Sequence, residues 1–139
     1  MNLLLCNPKN AQGTTHSRKG MYVPLGILSI ATELKNTYQD KINITVIDED
    51  IELANLNEFG QYDLIGFYST TYNYPTCIYY AKIAKEYGSK TVLGGPHASV
   101  LAKNILLNQS CFDFIIRYEG EKPFLDLVDR KSTRLNSSH

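Results

Sequence analysis

The chain has 139 residues, of which 43% are hydrophobic and 20% charged, and its 14 Lys and Arg balance its 14 Asp and Glu. This composition is typical of a folded globular protein. Zero net charge argues against a nucleic-acid partner, because nucleic acids bind to strongly basic surfaces. No apolar run approaches the ~18 to 20 residues of a membrane-spanning helix, and the amino terminus carries no basic leader. We therefore predict a cytoplasmic protein with no membrane partner.

The first strand is predicted from the apolar run "NLLLC" at 2–6, which ends at Asn7 and Pro8. A long polar loop follows, and such loops are usually functional or mobile. The first helix is predicted over 24–38, where apolar residues recur at helical spacing behind Pro24.

The same alternation of strand and helix continues to residue 130. The further predicted strands are 42–50, 63–71, 90–95 and 112–121, and the further predicted helices are 51–59, 74–88, 97–108 and 122–130. Five apolar strands without hairpin signals predict an α/β fold with a five-stranded parallel sheet and helices on both faces. The flavodoxin-like (Rossmann-like) strand order 2-1-3-4-5 fits this length best, and its ligands bind at the carboxyl ends of the strands.

We predict one domain over residues 1–130. The tail "KSTRLNSSH" at 131–139 loses the hydrophobic periodicity of the fifth helix and resembles a translated sequencing-adapter sequence. We therefore treat it as a non-native or disordered tail, and we expect the chain to be the front part of a longer protein.

The three cysteines, Cys6, Cys77 and Cys111, lie far apart and form no CxxC pair. We predict that all three are buried thiols in the core rather than metal ligands or a disulfide framework.

The predicted carboxyl ends of the strands are polar or small, although the strands behind them are apolar. They supply Asn7, Pro8, Asp48, Ser69, Thr70, Thr71, Tyr72, Asn73, Gly94, Gly95, Pro96, His97, Arg117, Tyr118, Glu119, Gly120 and Glu121. Glycines at such a point let a ligand approach the main chain, but they also suit a plain tight turn. Hydroxyl groups could bind a polar ligand or cap the next helix, and acids could bind ligand amides or favour a helix start.

A phosphate ligand is disfavoured, because the chain has no GxGxxG after its first strand and no GxxxxGK[ST]. A larger and more neutral ligand fits these strand ends better.

Five segments together resemble a known family. "YVPLGILSIATEL", "VIDED", "DLIGFYSTT", "VLGGPHAS" and "DFIIRYEGE" stand in the order and approximate spacing found in the amino-terminal cobalamin-binding domain of cobalamin-dependent radical S-adenosylmethionine enzymes. The resemblance covers about residues 1 to 130.

The resemblance implies a corrin ring over the carboxyl ends of the strands, with the nucleotide tail of the cofactor inserted toward the core. It implies that Ser69, Thr70 and Thr71 contact the tail or its phosphoribose, and that Gly94 and Gly95 let the tail pass close to the backbone. Pro96, His97, Glu119, Gly120 and Glu121 would line the corrin edge. With Asn7, Pro8 and Tyr72, these are the predicted cofactor-binding residues.

Two motifs of related proteins are missing. The DxHxxG motif, whose histidine ligates cobalt in some cobalamin domains, is absent from the first loop, so His16 is not expected to bind cobalt. The CxxxCxxC motif of a [4Fe-4S] cluster is also absent, so the cluster and S-adenosylmethionine would belong to a downstream module. We assign no catalytic residue and no protein metal ligand to this chain.

The leading interpretation is a cobalamin-binding module, serving as methyl carrier or scaffold for a downstream radical S-adenosylmethionine domain. The alternative is a flavodoxin-like or receiver-like binding domain without cobalamin. A receiver needs an acidic cluster after the first strand and an aspartate after the third, where this chain has Cys6-Asn7 and Tyr68-Ser69. A flavodoxin needs a short phosphate loop, whereas the loop here is long.

Overall fold

The computed structural model describes residues 1–10, 25–98, 104, 110–116 and 123–130. Its strands are β1 (Asn2–Asn7), β2 (Asn43–Asp48), β3 (Leu64–Tyr68), β4 (Lys90–Gly94) and β5 (Phe114–Ile115). Its helices are α1 (Leu25–Tyr38) and α2 (Tyr74–Glu86), with short 3-10 helices at Gln39–Lys41 and Leu56–Gln61 and a helical segment at 123–130.

The five strands form one parallel sheet in the order β2-β1-β3-β4-β5. This arrangement confirms the predicted flavodoxin-like fold. In the described residues β5 is much shorter than the predicted strand 112–121, whose end at 117–121 lies outside them.

The alternating strand residues divide the core into two halves, because successive side chains of a strand point to opposite faces. Leu3 and Leu5 of β1 pack with α1 and the segment 123–130 on one face. Leu4 and Cys6 pack with α2 and the 3-10 helix Leu56–Gln61 on the other face. Helices therefore cover both faces, as predicted.

The predicted helix 51–59 is wrong. Residues 49–52 turn instead, and a 3-10 helix begins only at Leu56, behind an Asn55 side chain that accepts a hydrogen bond from the Asn57 N–H. The Ala54 N–H is bound by the Glu49 carboxylate at 2.8 Å. That contact gives the backbone a partner outside a helix and so holds the segment in a turn.

The three cysteines are free and buried, which confirms their predicted place in the core. Burial raises the pKa of the Cys6, Cys77 and Cys111 thiols above the usual value. They are therefore neutral at physiological pH.

Candidate functional site

The carboxyl ends of four strands meet at one edge of the sheet. In the register, Asn7 at the end of β1 faces Asp48 of β2, and Tyr68 at the end of β3 faces Gly94 of β4. We call this region, residues 7–10, 48–50, 68–73 and 94–98, the carboxyl edge. Ligands of this fold bind there, where the strand order reverses between β1 and β3.

A chain of side-chain hydrogen bonds crosses the β2 side of the carboxyl edge. The Asn7 amide donates to the Asp48 carboxylate at 3.1 Å, and the same carboxylate oxygen accepts the Asp50 N–H at 3.0 Å. The oxygen of the Asn7 side chain accepts a hydrogen bond from the Asn73 side-chain amide at 3.3 Å. These contacts join the ends of β2 and β1 to the start of α2.

Glu49 is a buried carboxylate, 4% exposed, that fixes the beginning of the first loop. Its oxygens accept the Lys9 N–H at 3.0 Å and the Ala54 N–H at 2.8 Å. The Tyr80 hydroxyl donates to it at 3.1 Å, and burial and this hydrogen bond raise the pKa of Tyr80, so that the phenol keeps its proton. The sequence pattern did not single out Glu49, because an acid after a strand is usually exposed.

The two glycines after β4 have different surroundings. Gly95 has a φ of 95°, and a Cβ placed on it would lie 2.6 Å from the Ser69 carbonyl oxygen and 2.8 Å from the Ser69 nitrogen. The Ser69 backbone therefore occupies the space that a side chain at position 95 would need. No atom of the described residues lies within 4 Å of a Cβ placed on Gly94, so this part of the chain leaves room beside Gly94.

Ser69 is fully buried and joins β3 to the turn after β4. Its backbone N–H and its hydroxyl both donate to the Gly94 carbonyl, at 2.8 and 2.7 Å. The hydroxyl also accepts the Ala98 N–H at 3.3 Å, and the Ser69 carbonyl accepts the His97 N–H at 3.3 Å. The hydroxyl is thus committed to holding the Gly94–Gly95 turn.

The carboxyl edge also carries aromatic and hydroxyl side chains. The rings of Tyr74 and His97 stack with centroids 4.4 Å apart and planes inclined by 38°. Thr70 is half-buried, Thr71 is exposed, and the Tyr72 side chain is 75% exposed. Flat rings and neutral hydroxyls of this kind suit a flat ligand rich in amide groups.

The structure therefore brings most of the predicted site residues to one edge. Those placed there are Asn7, Pro8, Ser69, Thr70, Thr71, Tyr72, Gly94, Gly95, Pro96 and His97. Glu119, Gly120, Glu121 and His16 lie outside the described residues.

Among the described residues, no group of three or more His, Cys, Asp or Glu side chains is placed to hold a metal ion. In the same part of the chain, every helix is too short or too polar to cross a membrane.

A parallel sheet with this order and this polar edge defines a ligand-binding domain of the flavodoxin-like class. The family model described as "B12 binding domain" matches residues 12–128. The chain belongs to the B12 binding domain family, whose ligand is cobalamin. One relative, an "uncharacterized methyltransferase" of Pyrococcus horikoshii, is 31% identical over 114 residues, which are 78% of this chain and 25% of that protein. The chain thus spans about a quarter of the length of this relative.

The described residues fit a corrinoid. Gly94 leaves open space at the edge, where a Cβ would meet no described atom within 4 Å. The hydroxyls of Thr70 and Thr71 can bind neutral or phosphate oxygens, and the rings of Tyr72 and His97 offer flat surfaces.

Proposed function

We propose that the chain is the cobalamin-binding module of a larger methyl-transferring enzyme of the radical S-adenosylmethionine class. The observation that carries the proposal is that the B12 family match, residues 12–128, spans the β2, β3 and β4 ends that form the open carboxyl edge. The methyltransferase name of the Pyrococcus horikoshii relative supports the reaction class. Residues 1–130 form the module, and its place in the cell is the cytoplasm.

In this proposal each side of the turn after β4 has its own role. Thr70 and Thr71 bind the nucleotide tail, while Ser69 acts on the tail by holding Gly94 and Gly95 in place, because its hydroxyl is already committed to Gly94 and Ala98. Asn7 and Pro8 border the tail on the β1 side. Pro96, His97 and Tyr72, together with Glu119, Gly120 and Glu121, line the edge of the ring.

Bound cobalamin would supply a cobalt centre that carries methyl groups. This chain would bind the cofactor, orient it and keep water from its inner face. The [4Fe-4S] cluster and S-adenosylmethionine would be held by a further module, since the chain spans only a quarter of its relative's length.

The test is retention of the cofactor by the purified chain. After incubation with hydroxocobalamin and desalting, we expect about one equivalent of corrin absorbance to remain with the protein, as for a ligand of micromolar affinity or better. Gly94→Val should lower this affinity at least about tenfold, because its side chain fills the open space at the edge.

Lys90→Val is the matched control, since it places the same valine side chain in β4 but at the exposed amino end of the strand. It should retain cobalamin like the parent chain. Loss of all corrin absorbance from the folded parent would refute the proposal, and equal retention by Gly94→Val would move the site away from Gly94.

A further inference from the structure

Asn73 occupies the N-cap position of α2 but makes no capping hydrogen bond with its side chain. Asparagine is favoured at this position because its side chain usually accepts an N–H from the first turn of the helix. Here the side chain points back toward the sheet and is buried, with 2% of the residue exposed. The first turn of α2 therefore lacks a side-chain cap, and the Asn73 side chain makes hydrogen bonds elsewhere.

That contact is with the ends of two strands. The Asn73 amide nitrogen donates to the Tyr68 carbonyl at the end of β3 at 3.0 Å and to the Pro8 carbonyl after β1 at 3.0 Å. It also lies 3.3 Å from the oxygen of the Asn7 side-chain amide. One side chain thus connects the carboxyl ends of the paired strands β1 and β3, the point at which this fold binds ligands.

The carbonyl oxygen of the same side chain holds the loop after β3. It accepts the Thr70 N–H at 2.7 Å, and the Asn73 N–H lies 3.3 Å from the Thr70 hydroxyl. The amide therefore touches three of the residues assigned to the cofactor: Asn7, Pro8 and Thr70. Only an amide of this length offers both the donors for the strand ends and the acceptor for the loop.

We propose that Asn73 is a positioning residue for the corrinoid. It joins the carboxyl ends of β1 and β3 beyond their last ladder pair, Cys6 and Phe67, and so holds Asn7, Pro8 and Thr70 in the geometry that the cofactor requires. This inference rests on the proposed function, because the residues that Asn73 holds are those assigned there to the cofactor.

Two substitutions separate positioning from folding. Asn73→Ser provides a side chain that can cap α2 but is too short to reach both strands, so the chain should fold. Asn73→Asp keeps the acceptor for the Thr70 N–H but replaces the donor amide with an acceptor that faces three oxygens. If Asn73 served only the loop through this acceptor, Asn73→Asp would bind cobalamin normally.

Ser89→Ala is the matched control. The Ser89 hydroxyl is also buried and also donates to two main-chain carbonyls, those of Phe59 and Tyr62, but it precedes the amino end of β4. Its loss should lower the melting temperature and leave cobalamin affinity unchanged.

Affinity is measured by titration with cyanocobalamin, and folding by thermal unfolding of the same samples. We expect Asn73→Ser and Asn73→Asp to bind at least about tenfold more weakly than the parent chain at temperatures where all variants are folded. Burial against three oxygens should raise the pKa of the introduced acid. The deficit of Asn73→Asp relative to the parent should therefore shrink as the pH falls from about 8 to about 5, because the protonated acid regains one donor.

Few titratable groups near position 73 complicate this pH profile. The Cys77 thiol on α2 faces the Asn73 carbonyl oxygen at 3.7 Å, and burial raises its pKa, so it stays neutral. Asp48 on β2 is separated from Asn73 by the Asn7 side chain. The Asn73→Ser variant carries no titratable group at this position and should show no such recovery.

The outcomes are distinguishable. A folded parent chain that does not bind cyanocobalamin overturns the proposed function and this inference with it. A parent chain that binds, with Asn73→Ser and Asn73→Asp binding equally well, overturns this inference alone. A deficit in Ser89→Ala as large as that of the Asn73 variants also overturns it, because affinity would then follow stability.

Discussion

The tight contact between Gly95 and Ser69 makes the two glycines after β4 unequal in their effect on stability. Gly95→Ala places a Cβ 2.6 Å from the Ser69 carbonyl oxygen at a φ of 95°, where backbone hydrogen bonds of Ser69 to Gly94 and His97 hold the two segments together. We expect it to lower the free energy of unfolding by about 2 to 4 kcal/mol. Chemical denaturation measured by circular dichroism provides the check.

Gly94→Ala is the paired variant, because a Cβ there meets no described atom within 4 Å. Its free energy of unfolding should stay within about 0.5 kcal/mol of the parent value. If Gly95→Ala proved as stable as Gly94→Ala, the close approach of Ser69 to the turn would be wrong.

At the residue scale, the sequence predicted which residues lie at the strand ends better than it predicted their contacts. "GGPHAS" correctly indicated a turn that needs glycine, but only the geometry separates Gly95, which accommodates Ser69, from Gly94, whose added Cβ would meet none of the described residues within 4 Å. Asn73 is an ordinary helix-cap residue in the sequence. Its actual contacts depend on the direction of one side chain and on a strand 66 positions away, which no local pattern records.

At the scale of elements, Asp113 connects α2, β4 and β5. Its carboxylate accepts the Lys85 ammonium of α2 at 2.6 Å and the Thr91 N–H of β4 at 2.8 Å, and it directly precedes β5. Burial alone would raise the pKa of Asp113, but the hydrogen bonds from Lys85 and Thr91 outweigh it and lower the pKa below the usual value.

A lowered folded-state pKa means that the ionised carboxylate stabilises the fold at neutral pH and that this contribution is lost in acid. We expect Asp113→Asn to cost about 1 to 2 kcal/mol at pH 7, and the difference from the parent chain to vanish as the pH falls below about 4. Thermal unfolding of both chains across this range is the measurement. The exposed Glu52→Gln serves as control, and a penalty for Asp113→Asn that persists at low pH would contradict the ion-pair account.

The order of the elements was predictable because β1, β3 and β4 are mainly apolar, β2 alternates, and the segments that form α1 and α2 have a helical pattern. The failure at 51–59 has a physical cause, since the Glu49 carboxylate binds the Ala54 N–H and holds that segment in a turn. Just after α2 the aromatic Tyr87 is 48% exposed, while the polar Thr76 within α2 is buried. Apolar spacing alone does not say where a helix sits on its sheet.

At the scale of the whole molecule, the three buried thiols report on opening of the fold. Cys6 on β1 and Cys77 on α2 are fully buried beneath the carboxyl edge, and burial raises the pKa of both. A thiolate, the reactive form, is therefore available only when the structure opens. Modification by N-ethylmaleimide should be slow in the native chain and rapid in denaturant.

Cobalamin binding should slow this modification, because a ligand that binds only the folded state lowers the population of the open state by the factor 1 + [L]/Kd. At a cyanocobalamin concentration of about 100 Kd, labelling of Cys6 and Cys77 should slow about 100-fold, which corresponds to about 2.7 kcal/mol. Mass spectrometry of a Cys111→Ala chain follows these two thiols alone. Labelling rates that do not change with cyanocobalamin would contradict this prediction. The thiols would then become reactive through openings that leave the cofactor bound, and the carboxyl edge and the core beneath it would not open as one unit.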